Sequence, residues 1–107
     1  MGDHDEPEPD RLDRLERQRD QAFEATARNA EHLARVAERS AEIHDNMPHL
    51  PTAADHAERD RRLAAAERIA AEAYRRHELP SDAVRRSVLD PSDDEAAAEV
   101  AREKGEQ

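Results

Sequence analysis

The 107-residue chain has no cysteine and no tryptophan, one tyrosine, one phenylalanine and two glycines. Without cysteine there is no disulfide, no thiol nucleophile and no cysteine-ligated zinc. With only Gly2 and Gly105, no GxGxxG or GxxxxGK phosphate loop can be written. The longest unbroken hydrophobic run is four residues, Leu63–Ala66, against the roughly 20 needed to span a bilayer. Met1–Asp10 carries five acids and no base, the opposite of the basic start of a secretory signal, so the expected location is cytoplasmic. Leu, Ile, Val and Phe supply only 14 of the 107 residues, below the roughly 20 % under which highly charged chains tend to disorder. That scarcity argues against a deep-pocketed globular enzyme.

What the chain does have is alanine, 21 residues of it, and charge, at 41 % of positions with a formal net charge of −10. Alanine-rich, charge-rich sequences with helical periodicity are those of long helices and coiled coils. The charge is uneven: residues 1–10 sum to −5 and 80–107 to −4, while 11–47 sum to −1 and 48–79 to zero. Balanced, interleaved charge suits a solvated helix face, and single-sign ends suit frayed tails.

From Asp10 to about Asn46 the chain contains neither Gly nor Pro. At about 100° per residue, Ala27, Ala30, Ala34, Ala37 and Ala41 fall within about 40° of Phe23, and Leu33, Val36, Ile43 and Met47 lie beside them. Glu24, Glu31, Glu38 and Glu42 fall on the charged side, where Glu24 with Arg28 and Glu31 with Arg35 have the favourable i,i+4 order. A heptad fits in part: Leu12, Leu15, Arg19, Ala22, Thr26, Asn29, Leu33, Val36, Ser40, Ile43 and Met47 alternate spacings of three and four, but four of the eleven are polar, more than a strong parallel dimer seam tolerates. Its polar members cluster mainly between Arg19 and Asn29, so the better-packed part is expected over residues 30–47.

Met47-Pro48-His49-Leu50-Pro51-Thr52 breaks the first helix, and Thr52 reads as the N-cap of a second over about 53–77. So short a break predicts an antiparallel hairpin. Leu79-Pro80 ends helix two, Ser81 opens a short helix to about Val88, and Pro91-Ser92 caps a polar one from Asp93 to about Lys104. The expected fold class is therefore all-α. A long two-helix antiparallel hairpin (10–78) follows a disordered acidic tail (1–9). It is followed by short helices and an acidic, partly disordered tail (79–107). One hairpin interface cannot cover helix one's wide apolar face, so dimerisation into a four-helix bundle is the natural completion.

The chemistry-bearing residues are few. His44, His49 and His56 flank the break, but their spacing is loose and matches no zinc motif, so no metal and no cofactor are expected. The clusters Arg59-Arg61-Arg62, Arg75-Arg76 and Arg85-Arg86 are interrupted or flanked by acids, which with the net charge argues against nucleic acid. General acid–base catalysis needs a pocket that shifts carboxyl pKa values, and a thin helical rod supplies none, so no catalytic residue is assigned. The expected function is a non-enzymatic protein–protein interaction or oligomerisation module. Its partner would be another protein or a second copy, and Leu33, Val36, Ile43, Leu63, Ile69 and Tyr74 its buried interface. The alternative is a small regulatory binder, antitoxin-like or an anti-activator, whose residues 80–107 fold on a target.

Overall fold

The computed structural model describes residues 8–47 and 49–105. The expected tail over residues 1–7, Pro48 and the last two residues lie outside the described residues. The described residues form four helices: α1 Glu8–Asp45, α2 Ala53–Arg75, α3 Asp82–Leu89 and α4 Asp94–Gly105. Helix α1 begins two residues earlier than expected, because Pro9 sits in the first turn, where its missing N–H would have had no helical partner. Helices α1 and α2 pack antiparallel, and the radius of gyration of 18.7 Å exceeds the ~13 Å of a globular domain of this length. The molecule measures 68 × 26 × 20 Å. No helix among the described residues is long and apolar enough to cross a membrane.

The hairpin is held by alanine. Ala27, Ala30, Ala34, Ala37 and Ala41 of α1 are buried, as are Ala53, Ala57, Ala64 and Ala71 of α2. Small side chains let the two backbones approach closely, and each alanine gives up no side-chain entropy on burial. Three cross-hairpin ion pairs run along one flank: Asp45 with Arg61, Glu38 with Arg68 and Glu31 with Arg75. The residues recur every seven positions on both helices and in opposite directions, as an antiparallel pairing requires. Here the structure departs from the expected local pairing, since Glu31 reaches Arg75 on α2 instead of Arg35 on its own helix. On the other flank His44 Nδ1 lies 3.2 Å from Asp60 Oδ2; Phe23, in line with the buried alanines, meets Tyr74 with ring centroids 6.5 Å apart.

Helix α2 ends at Arg75, two residues short of expectation, in a left-handed cap. His77 has φ of 58°, and the Glu78 N–H donates to the Ala73 carbonyl at 2.9 Å. Glycine is usual at this position, and a side chain there costs about 1–2 kcal/mol. The stacking of His77 on Phe23 at 5.3 Å offsets part of that cost; its Nδ1 also lies 3.2 Å from Asp20 Oδ1, without hydrogen-bond geometry. At the other end of α2, Thr52 makes no side-chain cap, and successive turns replace it, with Leu50 N–H donating to Met47 O and Ala53 N–H to Leu50 O.

Helices α3 and α4 fold back onto α2. Ala66 and Ala70 of α2, Ala83 and Val84 of α3, and Val100 of α4 form one buried cluster, with Ile69, Tyr74 and Val88 packed against it. Ser81 is the cap of α3, its Oγ accepting from the Val84 N–H at 3.2 Å and donating to Glu103 of α4 at 2.9 Å. The cap of α4 is Asp93, one residue beyond Ser92: its Oδ1 accepts from the Ala96 N–H at 3.0 Å, while Ser92 binds Asp90. Arg62 donates to Asp94 at 2.7 Å and Arg86 to Glu99 at 3.2 Å, tying α4 to α2 and α3. An isolated helix as short as α4 is marginal in water, but Ala96 and Val100 are buried in the fold. Residues 82–105 are thus placed on the hairpin within the chain itself.

Candidate interaction surface

Among the described residues α1 packs against α2 alone. Its length, about 57 Å against about 34 Å for α2, leaves the first turns unpaired. Every residue from Glu8 to Arg19 is exposed, and Leu12 and Leu15 are each 50 % exposed. Beyond that overhang the heptad that includes the expected interface residues Leu33, Val36 and Ile43 becomes the outward face of the hairpin. Ala22, Thr26, Asn29, Leu33, Val36 and Ile43 are exposed, with Ser40 half-buried among them. No member of this band from Ala22 to Ile43 is charged, in a chain that is 41 % charged.

The geometry of α1 is that of a helix with two seams. Each of the buried alanines Ala27, Ala30, Ala34, Ala37 and Ala41 directly follows a band residue. One residue is about 100° of rotation, so the outward seam stands about a right angle from the seam that α2 covers. A helix at the corner of a four-helix bundle has its two neighbours at such an angle.

The six expected interface residues divide into two groups. Leu33, Val36 and Ile43 lie on the outward face of α1, 42, 52 and 44 % exposed. Leu63, Ile69 and Tyr74 of α2 are half-buried, Ile69 and Tyr74 against the α2–α3–α4 cluster and Leu63 beside a recess bordered by Asp90, Pro91 and Ser92. Within the chain the buried hairpin seam consists of alanine, and none of the six is among its buried residues. Alanine fits because close backbone approach excludes larger side chains, which turns the bulky aliphatics of α1 to the outside.

One buried side chain was not singled out from sequence. Glu67 is 5 % exposed and has no hydrogen-bond or ion-pair partner among the described residues. It borders a recess with Ala70, Tyr74, Pro80, Val84, Arg85, Val88 and Leu89. Burial alone pushes its carboxyl above the ordinary glutamate value. The available sequence signal was its place in the α2 heptad Ala57, Asp60, Ala64, Glu67, Ala71, Tyr74, whose other acid, Asp60, is bonded to His44. The histidines near the break come together in part: His44 and His56 stack at 5.1 Å, and His56 Nδ1 accepts from Arg59. No group of three or more His, Asp or Glu placed to hold a metal occurs among the described residues. Comparison with protein-family models, with curated proteins and with solved structures finds no match.

Proposed function

We propose that this chain is a non-enzymatic helical interaction module whose working surface is the outward face of α1. The single observation that carries this is the uncharged, solvent-facing heptad from Ala22 to Ile43, set about a right angle from the seam α2 occupies. A surface of this form is complementary to another helix and, through it, to another hairpin. Two hairpins joined so would make a four-helix bundle and bury Leu33, Val36 and Ile43. Loss of exposed aliphatic area drives such association at about 25 cal/mol per Å² of apolar surface. The regulatory-binder alternative, with residues 80–107 folding on a target, gains no support from α3 and α4, which are folded on α2 in the chain itself.

The test is sedimentation equilibrium of the full chain, alone and mixed with candidate helices, over a hundredfold concentration range. Ile43→Asp is the informative variant. Ile43 is 44 % exposed within the chain, so the substitution leaves the hairpin folded. Association should disappear while helicity at 222 nm stays unchanged, and association that survives Ile43→Asp would remove α1 as the working surface.

A further inference from the structure

The outward band of α1 has an asymmetric border. On the side away from α2 the helix presents Arg28, His32, Arg35 and Arg39, all exposed. Three acids on the α2 side of this edge are engaged across the hairpin: Glu31 with Arg75, Glu38 with Arg68, and Asp45 with Arg61, while Glu24 and Glu42 stay exposed beside the arginines. Because Glu31 is drawn to α2, neither Arg35 nor Arg28 has an ion-pair partner among the described residues. Arg39 reaches only an exposed Glu42 on its own helix at 3.7 Å. A chain of net charge −10 therefore carries an uncharged stripe, with Leu33, Val36 and Ile43 as its aliphatic part, bordered by an edge in which Arg28, His32, Arg35 and Arg39 predominate.

We propose that this face docks an acidic amphipathic helix of a partner protein, apolar side on Leu33, Val36 and Ile43, acidic edge on Arg28 and Arg35. The inference rests on the outward face of α1 being the working surface, as above, and names its occupant. A second copy of α1 fits less well. Laid antiparallel, it brings the Arg28–Arg39 edges of both copies together; laid parallel, it sets each basic edge against the alanine side of the other. Neither arrangement neutralises the arginines, and like charges brought together at an interface are disfavoured. A nucleic-acid backbone would satisfy the arginines but leave the aliphatic stripe uncovered. It would also find no aromatic on the outward face for bases to stack on, since Phe23 is engaged with Tyr74 and His77.

The probes are two synthetic helical peptides of about 24 residues, long enough to cover the band. They share one Leu/Ile heptad and differ only in carrying Glu or Lys along both edges. Binding to the full-length protein is read by fluorescence anisotropy at low and high salt, with a DNA duplex as a third probe. The Glu peptide should bind about tenfold tighter than the Lys peptide at low salt, and the gap should narrow at high salt. Arg28→Glu with Arg35→Glu should reverse the preference, and circular dichroism confirms that these exposed substitutions leave the fold intact. Equal binding of both peptides, abolished by Leu33→Asp with Val36→Asp, would overturn the acidic partner and leave the surface standing. Peptide binding that survives Leu33→Asp with Val36→Asp, or no peptide binding at all, would overturn both. Tighter binding of the duplex than of either peptide would overturn the protein partner.

Discussion

Replacing Glu67 by Met should stabilise the protein at neutral pH. The side chain is 5 % exposed, faces an otherwise largely apolar recess and has no bonding partner among the described residues. An unpaired buried polar group costs about 1–3 kcal/mol, and more when charged. Methionine has similar volume, good helix propensity and no polar group to desolvate; because the Glu67 carboxyl keeps some contact with solvent through the recess, the expected gain is at most about 1 kcal/mol at pH 7. In a domain of this size each kcal/mol is worth about 4–8 °C in Tm. The pH dependence identifies the cause. Burial raises the folded-state pKa of Glu67 above its unfolded value, so the folded state holds this proton more tightly. The wild-type contribution from Glu67 is then fullest below the unfolded pKa and is lost as pH rises through the folded one. The advantage of the Met variant should accordingly be largest at pH 7 and shrink on acidification. Urea unfolding followed at 222 nm at several pH values between 7 and 4 measures both quantities. A Met variant no more stable than wild type at pH 7, or a gap that stays constant with pH, would refute the assignment of Glu67 as an unpaired, partly desolvated carboxyl.

Other substitutions probe the packing. Ala34→Leu puts a large side chain where the wild-type residue is fully buried in the hairpin seam, and should lower stability by about 1–3 kcal/mol in urea unfolding. Val84→Ala removes two methyl groups from the 0 % exposed centre of the α2–α3–α4 cluster, at a cost of about 2 kcal/mol. Hydrogen exchange should show the loss first over residues 82–105, with the hairpin still protected. Ser87 is 1 % exposed and its Oγ has no hydrogen-bond partner among the described residues, so Ser87→Ala should leave the protein as stable or raise its Tm.

Much of the architecture was legible in local signals. The Gly- and Pro-free stretch after Pro9, the Met47–Thr52 break and the Ser81 cap mark helices to within two residues at most ends, because propensity and capping act over a few neighbouring residues. The apolar side of α1 was legible too, since periodicity alone orders residues around a helix. Which part of that side meets α2 was not. Alanine and the larger aliphatics lie side by side on the wheel. The outcome depends on how closely two backbones approach, a property of both helices together. The same holds for the charges: i,i+4 spacing favours Glu31 with Arg35, but only the antiparallel register brings Arg75 within reach.

The sequence by itself determined an elongated all-α hairpin, the absence of a thiol or a glycine-rich phosphate loop, and two adjacent seams on the first helix. Those properties follow from composition and from a period of 3.6 residues. Only the tertiary structure decided that alanine would fill the inner seam and leave Leu33, Val36 and Ile43 outside. It also decided that α2 would draw Glu31, Glu38 and Asp45 across the hairpin, leaving Arg28, Arg35 and Glu67 without an ion-pair partner among the described residues. Each of those outcomes depends on where a second helix lies, and burial and pairing are energies of neighbours distant in the chain.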